Sequence, residues 1–195
     1  MRSYEKRDSE TVSIIHKTVT ASLEGFKETL AKAKIEFDSW DWESQYVWTG
    51  KVKEIIDKLS QTPYLLTKDN ALILNVDLAA ERLGLKENLL LSNVEVPQLV
   101  LMRSDGTTLY TTRDIAYHID KFRWADEAVN VVGVDQKLAQ LQLKITLLIL
   151  KLDQALTHLI HYVYELVKLP NYTMSRRRGR FISFDELIDE AISLA

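Results

Sequence analysis

The segment NYTMSRRRGRFISFDELIDEA, residues 171–191, gathers Arg176, Arg177, Arg178 and Arg180 around Gly179 in a chain of net charge −3. Ser175, the arginines and Gly179 set a hydroxyl, several cations and a glycine hinge just ahead of a helix start. This combination suits phosphate, because guanidinium forks and point charges meet its oxygens and a glycine allows a loop to close. The alternative is a solvated basic loop between two ordered elements. The G-x-x-x-x-G-K-S/T pattern is absent, so this is no Walker loop. The acidic balance argues against nucleic-acid binding over the whole surface and makes any anion site local.

Two further groups stand where chemistry is expected. Tyr110 and Asp114 are four residues apart at a predicted loop-to-helix entry, a spacing that puts both on one side of a first helical turn. A carboxylate there can receive a cation, and a guanidinium would fit it in a two-pronged pair. The other role open to Asp114 is to cap the helix or favour its dipole. In VVGVDQ, Gly133 permits close backbone approach, while Asp135 and Gln136 stand where a strand hands over to a helix. The Gln136 amide both donates and accepts, which suits a zwitterion; Asp and Gln at such a place also serve as caps.

Histidines are weaker candidates. On a helix His158, His161 and Glu165 would share a face and could hold a metal, but the alternation around them predicts a strand and no metal site. No G-x-S-x-G elbow exists to expose a serine nucleophile.

The elements that must position these residues follow from periodicity. From Thr11 to Ala33 the apolar residues Val12, Ile15, Val19, Leu23, Phe26 and Leu30 step by three or four, the stripe of a long amphipathic helix. IEFDSWDWESQYVWTG concentrates three of the four tryptophans in an acidic, non-periodic stretch. It reads as a packed junction, with a binding platform as the alternative. KVKEIIDKL predicts a short helix, and PYLLTKDNALILNV two strands joined at Lys-Asp-Asn. VPQLVLMRSDGTTLY predicts a strand, a turn and a return; TTRDIAYHIDKF a helix opened by Thr111 with Asp114 as a capping box. AVNVVGVD has the β-branched composition of a buried parallel strand, QKLAQLQLKITLLILKL is a strong helix, and HLIHYVYELVKL alternates as a strand. Ser183 and Glu186 form a capping box for a last helix, 184–194. The second half thus predicts an α/β sheet with crossover helices, whose ligands sit at the carboxyl ends of the strands.

The absence of cysteine excludes disulfides and thiolate metal sites and fits a reducing compartment. MRSYEKRDSE has no apolar core of a secretory signal, and ITLLIL at 145–150 is far too short to span a bilayer. The expectation is an intracellular, cytoplasmic chain with no membrane partner.

Taken together, these groups resemble a known family. SDGTTLYTTRDIAYHIDKF is similar to the arginyl-tRNA synthetase segment SDG-x-x-x-Y-x-T-x-D-I/L-A. MSRRRGRFISFDELIDEA is similar to that family's variant of the class I KMSKS loop, M-S-x-R-K/R-G, with the helix after it. LEGFKETLAKAKIEFDSWDWES resembles the family's insertion, in an archaeal version. The resemblance runs from about Val19 to the C-terminus, and the two motifs, with GVDQ between them, are specific in that order.

The resemblance implies an α/β fold, the second half of a class I Rossmann-type catalytic domain, over 96–195. Residues 1–95 would be a helical insertion with a small β-hairpin. It further implies that Tyr110, Asp114 and Gln136 bind arginine, with Asp114 meeting the guanidinium. Met174, Ser175, Arg176 and Arg177 would steady the phosphates of ATP, brought in with Mg2+, with Gly133 also on the ATP side. The catalytic role falls on Ser175, Arg176 and Arg177, neutralising charge that moves onto pyrophosphate while arginine is adenylated and then passed to tRNA(Arg).

This sequence departs from the family pattern in two ways. Thr173 stands where KMSKS begins with lysine, though Arg176 keeps a cation at its later lysine, and no H-x-G-H motif occurs. The expectation is therefore the internal part of an arginine–tRNA ligase that needs a complementing N-terminal half or self-association. The alternative is a non-ligating arginine-binding paralogue or a partner-dependent structural fragment.

Overall fold

The computed structural model describes residues 2–165 and 182–194. Within it the chain divides into two compact units, one of residues 1–5 and 42–166, the other of 6–41 and 167–195.

In the second unit the amphipathic stripe forms α2 (Ser9–Lys32), after a short α1 (Arg2–Glu5) that belongs to the first unit. Asp8 caps α2 by accepting hydrogen bonds from the Thr11 amide at 2.9 Å and its hydroxyl at 2.6 Å. That satisfies one of the unpaired amides of a first helical turn. The last helix, α10 (Phe184–Leu194), begins at the capping box expected of Ser183 and Glu186. The Glu186 amide donates to the Ser183 hydroxyl at 3.1 Å, and Glu186 accepts from the Ser183 amide at 2.6 Å. Asp185 joins the two helices, accepting from Thr29 at 2.8 Å and from Lys32 at 2.6 Å.

The first unit carries the core. Gly50, at φ +78°, turns the chain between α3 (Ser44–Trp48) and α4 (Lys51–Ser60), a conformation that costs a glycine nothing. Strands β1 (Leu65–Lys68) and β2 (Ala71–Leu74) pair antiparallel around Asp69 and Asn70, both at positive φ. Asp and Asn tolerate that region, which a tight hairpin turn requires. Asn75 caps α5 (Val76–Arg82), and α6 (Leu85–Asn88) follows. Asp77 then binds Lys86 and accepts from the Val96 amide at 2.9 Å, tying this helical excursion to the entry of β3 (Leu99–Met102).

Beyond β3 come α7 (Tyr110–Lys121), β4 (Ala128–Gly133), a 3-10 turn (Val134–Gln136), α8 (Lys137–Ile149), α9 (Ala155–His158) and β5 (Leu159–Tyr164). The parallel pairing of β4 with β5 across helix α8 is the βαβ unit the sequence predicts. Strand β3, expected in the same sheet, instead extends the hairpin in the order β1-β2-β3, antiparallel to β2. The reason is the route of the chain: the excursion through α5 and α6 returns Leu99 opposite Leu74, where the hairpin offers an unpaired edge.

Leu59, Leu74, Val76, Leu101, Ile115, Ile145, Leu147 and Leu159 are buried in one cluster that helices α7 and α8 share with both sheets. The opposite face of the parallel pair stays apolar and open, with Val129, Val131, Ile160, Tyr162 and Tyr164 exposed. The tryptophan-rich stretch divides between the units: Trp40 meets Phe37 edge to face, ring centres 5.3 Å apart, in one, whereas Trp48 packs on Tyr4 at 5.0 Å in the other. Among the described residues no helix is long and apolar enough to cross a membrane.

Candidate active site

The entry to α7 is built from the turn before it. Gly106 adopts φ +83°, the Arg103 amide reaches Thr107 O at 2.9 Å, and Asp105 accepts from the Thr107 hydroxyl at 2.6 Å and amide at 2.9 Å. These bonds from Thr107, together with the Arg2 guanidinium at 2.9 Å, hold the Asp105 carboxyl well below the usual carboxylate range. The Thr112 hydroxyl then donates to Leu101 O at 2.7 Å, pinning the first turn of the helix to β3.

This anchoring overturns the capping box expected of Thr111 and Asp114. Leu109, in extended conformation, is the residue that opens the helix, and no side chain caps it. Thr111 already lies inside the helix, where a side chain cannot play the N-cap part. Asp114 looks elsewhere: its Oδ1 is 3.2 Å from Nδ1 of His118, one turn on. Tyr110 is the first residue of α7, and its ring is half exposed.

Strand β4 follows α7 after residues 122–127 and runs to a carboxyl end at Gly133. That end is where ligands collect in open α/β sheets. Gly133 closes the strand, and its freedom is used for closeness rather than for an unusual φ. A Cβ there would stand 2.7 Å from Asp135 Oδ1 and 3.9 Å from the ring of Tyr164 on β5. Gln136 ends the 3-10 turn and donates from Nε2 to Asp135 Oδ2 at 3.0 Å. Tyr110 and Asp114 thus stand in the first turns of α7, and Gly133 and Gln136 at the carboxyl end of β4 and in the turn after it. Met174, Ser175, Arg176 and Arg177 lie outside the described residues.

Sequence reasoning did not single out the polar residues beneath this surface. His118 is buried, with Nδ1 2.8 Å from Asp114 O and Nε2 2.8 Å from Asn130 Nδ2. Asn130 Nδ2 donates in turn to Gln140 Oε1 at 2.6 Å. Asn130 and Gln140 are buried as well. A polar residue at an inward position of an otherwise β-branched strand, AVNVVG, was the available signal, since buried polar groups need partners.

His161 sits beside Asn130 in the strand register, on β5, with Nε2 buried and unbonded. The metal trio considered for His158, His161 and Glu165 does not form: β5 begins after His158, and among the described residues no metal-binding group of three occurs. Burial, aided by the positive charge of Lys144 and by His118, pushes the His161 imidazole down to about 4 from 6.5, against a small opposing pull from Asp114. The unfolded chain takes up this proton near 6.5 and the folded chain near about 4, so stability falls as pH drops through that window and levels off below it. Because the ring is partly exposed, the loss is on the order of 1 kcal/mol after allowance for screening. Urea titrations at several pH values should show that extra acid slope in the parent chain and lose it in His161→Gln.

Comparison with known proteins gives a consistent result. Residues 4–195 match the family model described as tRNA synthetases class I (R), catalytic domain. An arginine–tRNA ligase of Aeropyrum pernix is 43% identical over 199 residues, covering 98% of this chain and 31% of that protein. One from Ignicoccus hospitalis is 45% identical over 181 residues, covering 90% of this chain and 28% of that one. The Thermus thermophilus arginyl-tRNA synthetase superposes with a TM-score of 0.68 at 22% identity, over 98% of this chain and 37% of its own, a likeness of fold. The chain spans about a third of the length of the curated relatives it matches.

Proposed function

The chain belongs to the class I arginyl-tRNA synthetase family, and from that premise we propose that it supplies the arginine pocket and the ATP-phosphate loop of an arginine–tRNA ligase. In this reading Asp114 receives the guanidinium of arginine in a two-pronged, charge-assisted pair. Tyr110 borders the same pocket, and the Gln136 amide contacts the substrate's polar groups. The observation that carries the reading is the family match over residues 4–195, supported by a motif carboxylate, Asp114, that stands in the first turns of α7 with about a third of its side chain open.

ATP enters as its magnesium complex, a substrate. The arginine carboxylate attacks the α-phosphorus, pyrophosphate leaves with the bonding electron pair, and arginyl-adenylate remains. A hydroxyl of the tRNA(Arg) acceptor end then attacks the activated carbonyl and releases AMP. Gly133 leaves backbone room for the nucleotide. Met174, Ser175, Arg176 and Arg177 steady the ATP phosphates, and the Ser175 hydroxyl with the two guanidinium groups offsets charge gathering on the departing pyrophosphate, the kind of interaction worth most in the transition state. The setting is cytoplasmic translation.

A second reading is favoured by the open apolar face of β4 and β5. Parallel strands are ordinarily covered on both faces, so Val131 and Tyr162, each more than 60% exposed, mark a surface for complementing polypeptide. Here the chain binds arginine without ligating, or serves a partner only as a structural fragment, even beside a polypeptide that brings H-x-G-H. Arginine-dependent isotopic ATP–pyrophosphate exchange separates these possibilities. Exchange should be slow or absent with this chain alone and should appear when an N-terminal ligase half carrying H-x-G-H is added. Silence in a folded complex of the two would overturn the ligase reading.

A further inference from the structure

Resting on the reading of Asp114 as the carboxylate that takes the guanidinium, we propose that His118 is a positioning residue for it. Together with Asn130 and Gln140, it fixes the carboxylate before substrate arrives. The chain of contacts spans three elements: Asp114 and His118 on α7, Asn130 on β4, and Gln140 on α8, one helical turn beyond Gln136.

The hydrogen-bond pattern assigns the proton. Nδ1 of His118 faces two acceptors, Asp114 O at 2.8 Å and Asp114 Oδ1 at 3.2 Å, so Nδ1 carries the hydrogen. Nε2 meets the Asn130 side-chain amide, 2.8 Å from its nitrogen and 3.0 Å from its oxygen. Asn130 spends its second N–H on Gln140 Oε1 at 2.6 Å, and its oxygen lies 3.5 Å from the Lys121 ammonium. The imidazole is held at both nitrogens, by Asp114 and by Asn130, so turning it over would break buried hydrogen bonds.

The consequence for binding is directional. A carboxylate left free on the first turns of a helix samples several rotamers, and ordering it on binding weakens affinity. Here one oxygen of Asp114 is engaged from below by His118, while its side chain keeps about a third of its surface open. The row also joins the helix that carries Asp114 to the helix that follows Gln136. The two proposed arginine contacts are thereby held in one frame.

Substitutions at His118 separate positioning from packing. His118→Asn keeps a donor at the place of Nδ1 but gives up the contact with Asn130; His118→Gln keeps an acceptor at the place of Nε2 but gives up the donor to Asp114. Both shrink the buried ring. Calorimetric titration of L-arginine into the 195-residue chain should show affinity close to the parent in His118→Asn and about tenfold weaker in His118→Gln. Equal affinity in the two variants, with both folded by circular dichroism, overturns the positioning role. Asp114→Asn serves as the reference: if that variant binds arginine like the parent, the arginine-site reading itself falls. If it weakens binding while both His118 variants match the parent, only the positioning inference falls.

Discussion

Asp114→Asn is expected to weaken arginine binding by about a hundredfold, corresponding to about 3 kcal/mol. The substitution changes charge and little else. Asparagine keeps the shape of the side chain, and its oxygen can still accept from the His118 Nδ1–H, which lies 3.2 Å from Asp114 Oδ1. What disappears is the negative partner for a guanidinium whose own donors would be left without a matched acceptor. No other carboxylate is positioned to replace it on the first turns of α7, whose remaining side chains there are Tyr110, Thr111, Thr112 and Arg113. Arg113 would not help: it is drawn to Glu43 at 2.9 Å and to Thr108 O at 3.0 Å. Calorimetry with arginine against lysine reads the effect, since the parent should prefer arginine and the variant should lose that preference. An unchanged arginine affinity would remove the central contact from the proposed site.

The second large effect is on stability. Ile115→Ala should cost about 3 kcal/mol, seen as a lower urea midpoint with little change in slope. Ile115 is fully buried and follows Asp114 about 100° further round the helix, so one side chain enters the core while the other stays partly open. Around Ile115 the cluster includes Leu101 of β3 and Leu147 of α8. The first turn of α7 is already fixed by the Thr112 bond to Leu101 O, so the helix has little freedom to settle into the space an alanine leaves. The matched control is Val131→Ala on the open face of β4, expected to change stability by no more than about 0.5 kcal/mol. A similar small effect at Ile115 would mean that α7 is not anchored as described.

Much of this fold can be read along the chain because its causes are local. The three-to-four spacing from Val12 to Leu30 makes an amphipathic helix wherever that segment finds a partner. Asp69 and Asn70 accept positive φ, so a hairpin closes between two short apolar runs. Ser183 and Glu186 cap α10 because the two residues that decide the cap lie only three positions apart in sequence. The pair Thr111 and Asp114 carries a similar pattern, yet no cap forms. Thr112 is anchored to β3 and His118 engages Asp114, so contacts with distant residues decide where the helix opens.

The motifs SDGTTLY-TTRDIA and MSRRRGR, with GVDQ between them, sufficed together to identify the family, because the resemblance rests on residue types at fixed spacing. Only the tertiary structure decided that β3 joins the hairpin and not the parallel pair. It alone decided, too, that His118, Asn130 and Gln140 form a buried row under Asp114. Strand pairing depends on which unpaired edge a returning chain meets, and a buried polar row depends on three elements arriving at one depth. Neither leaves a periodic trace, since both are agreements between residues far apart in the chain.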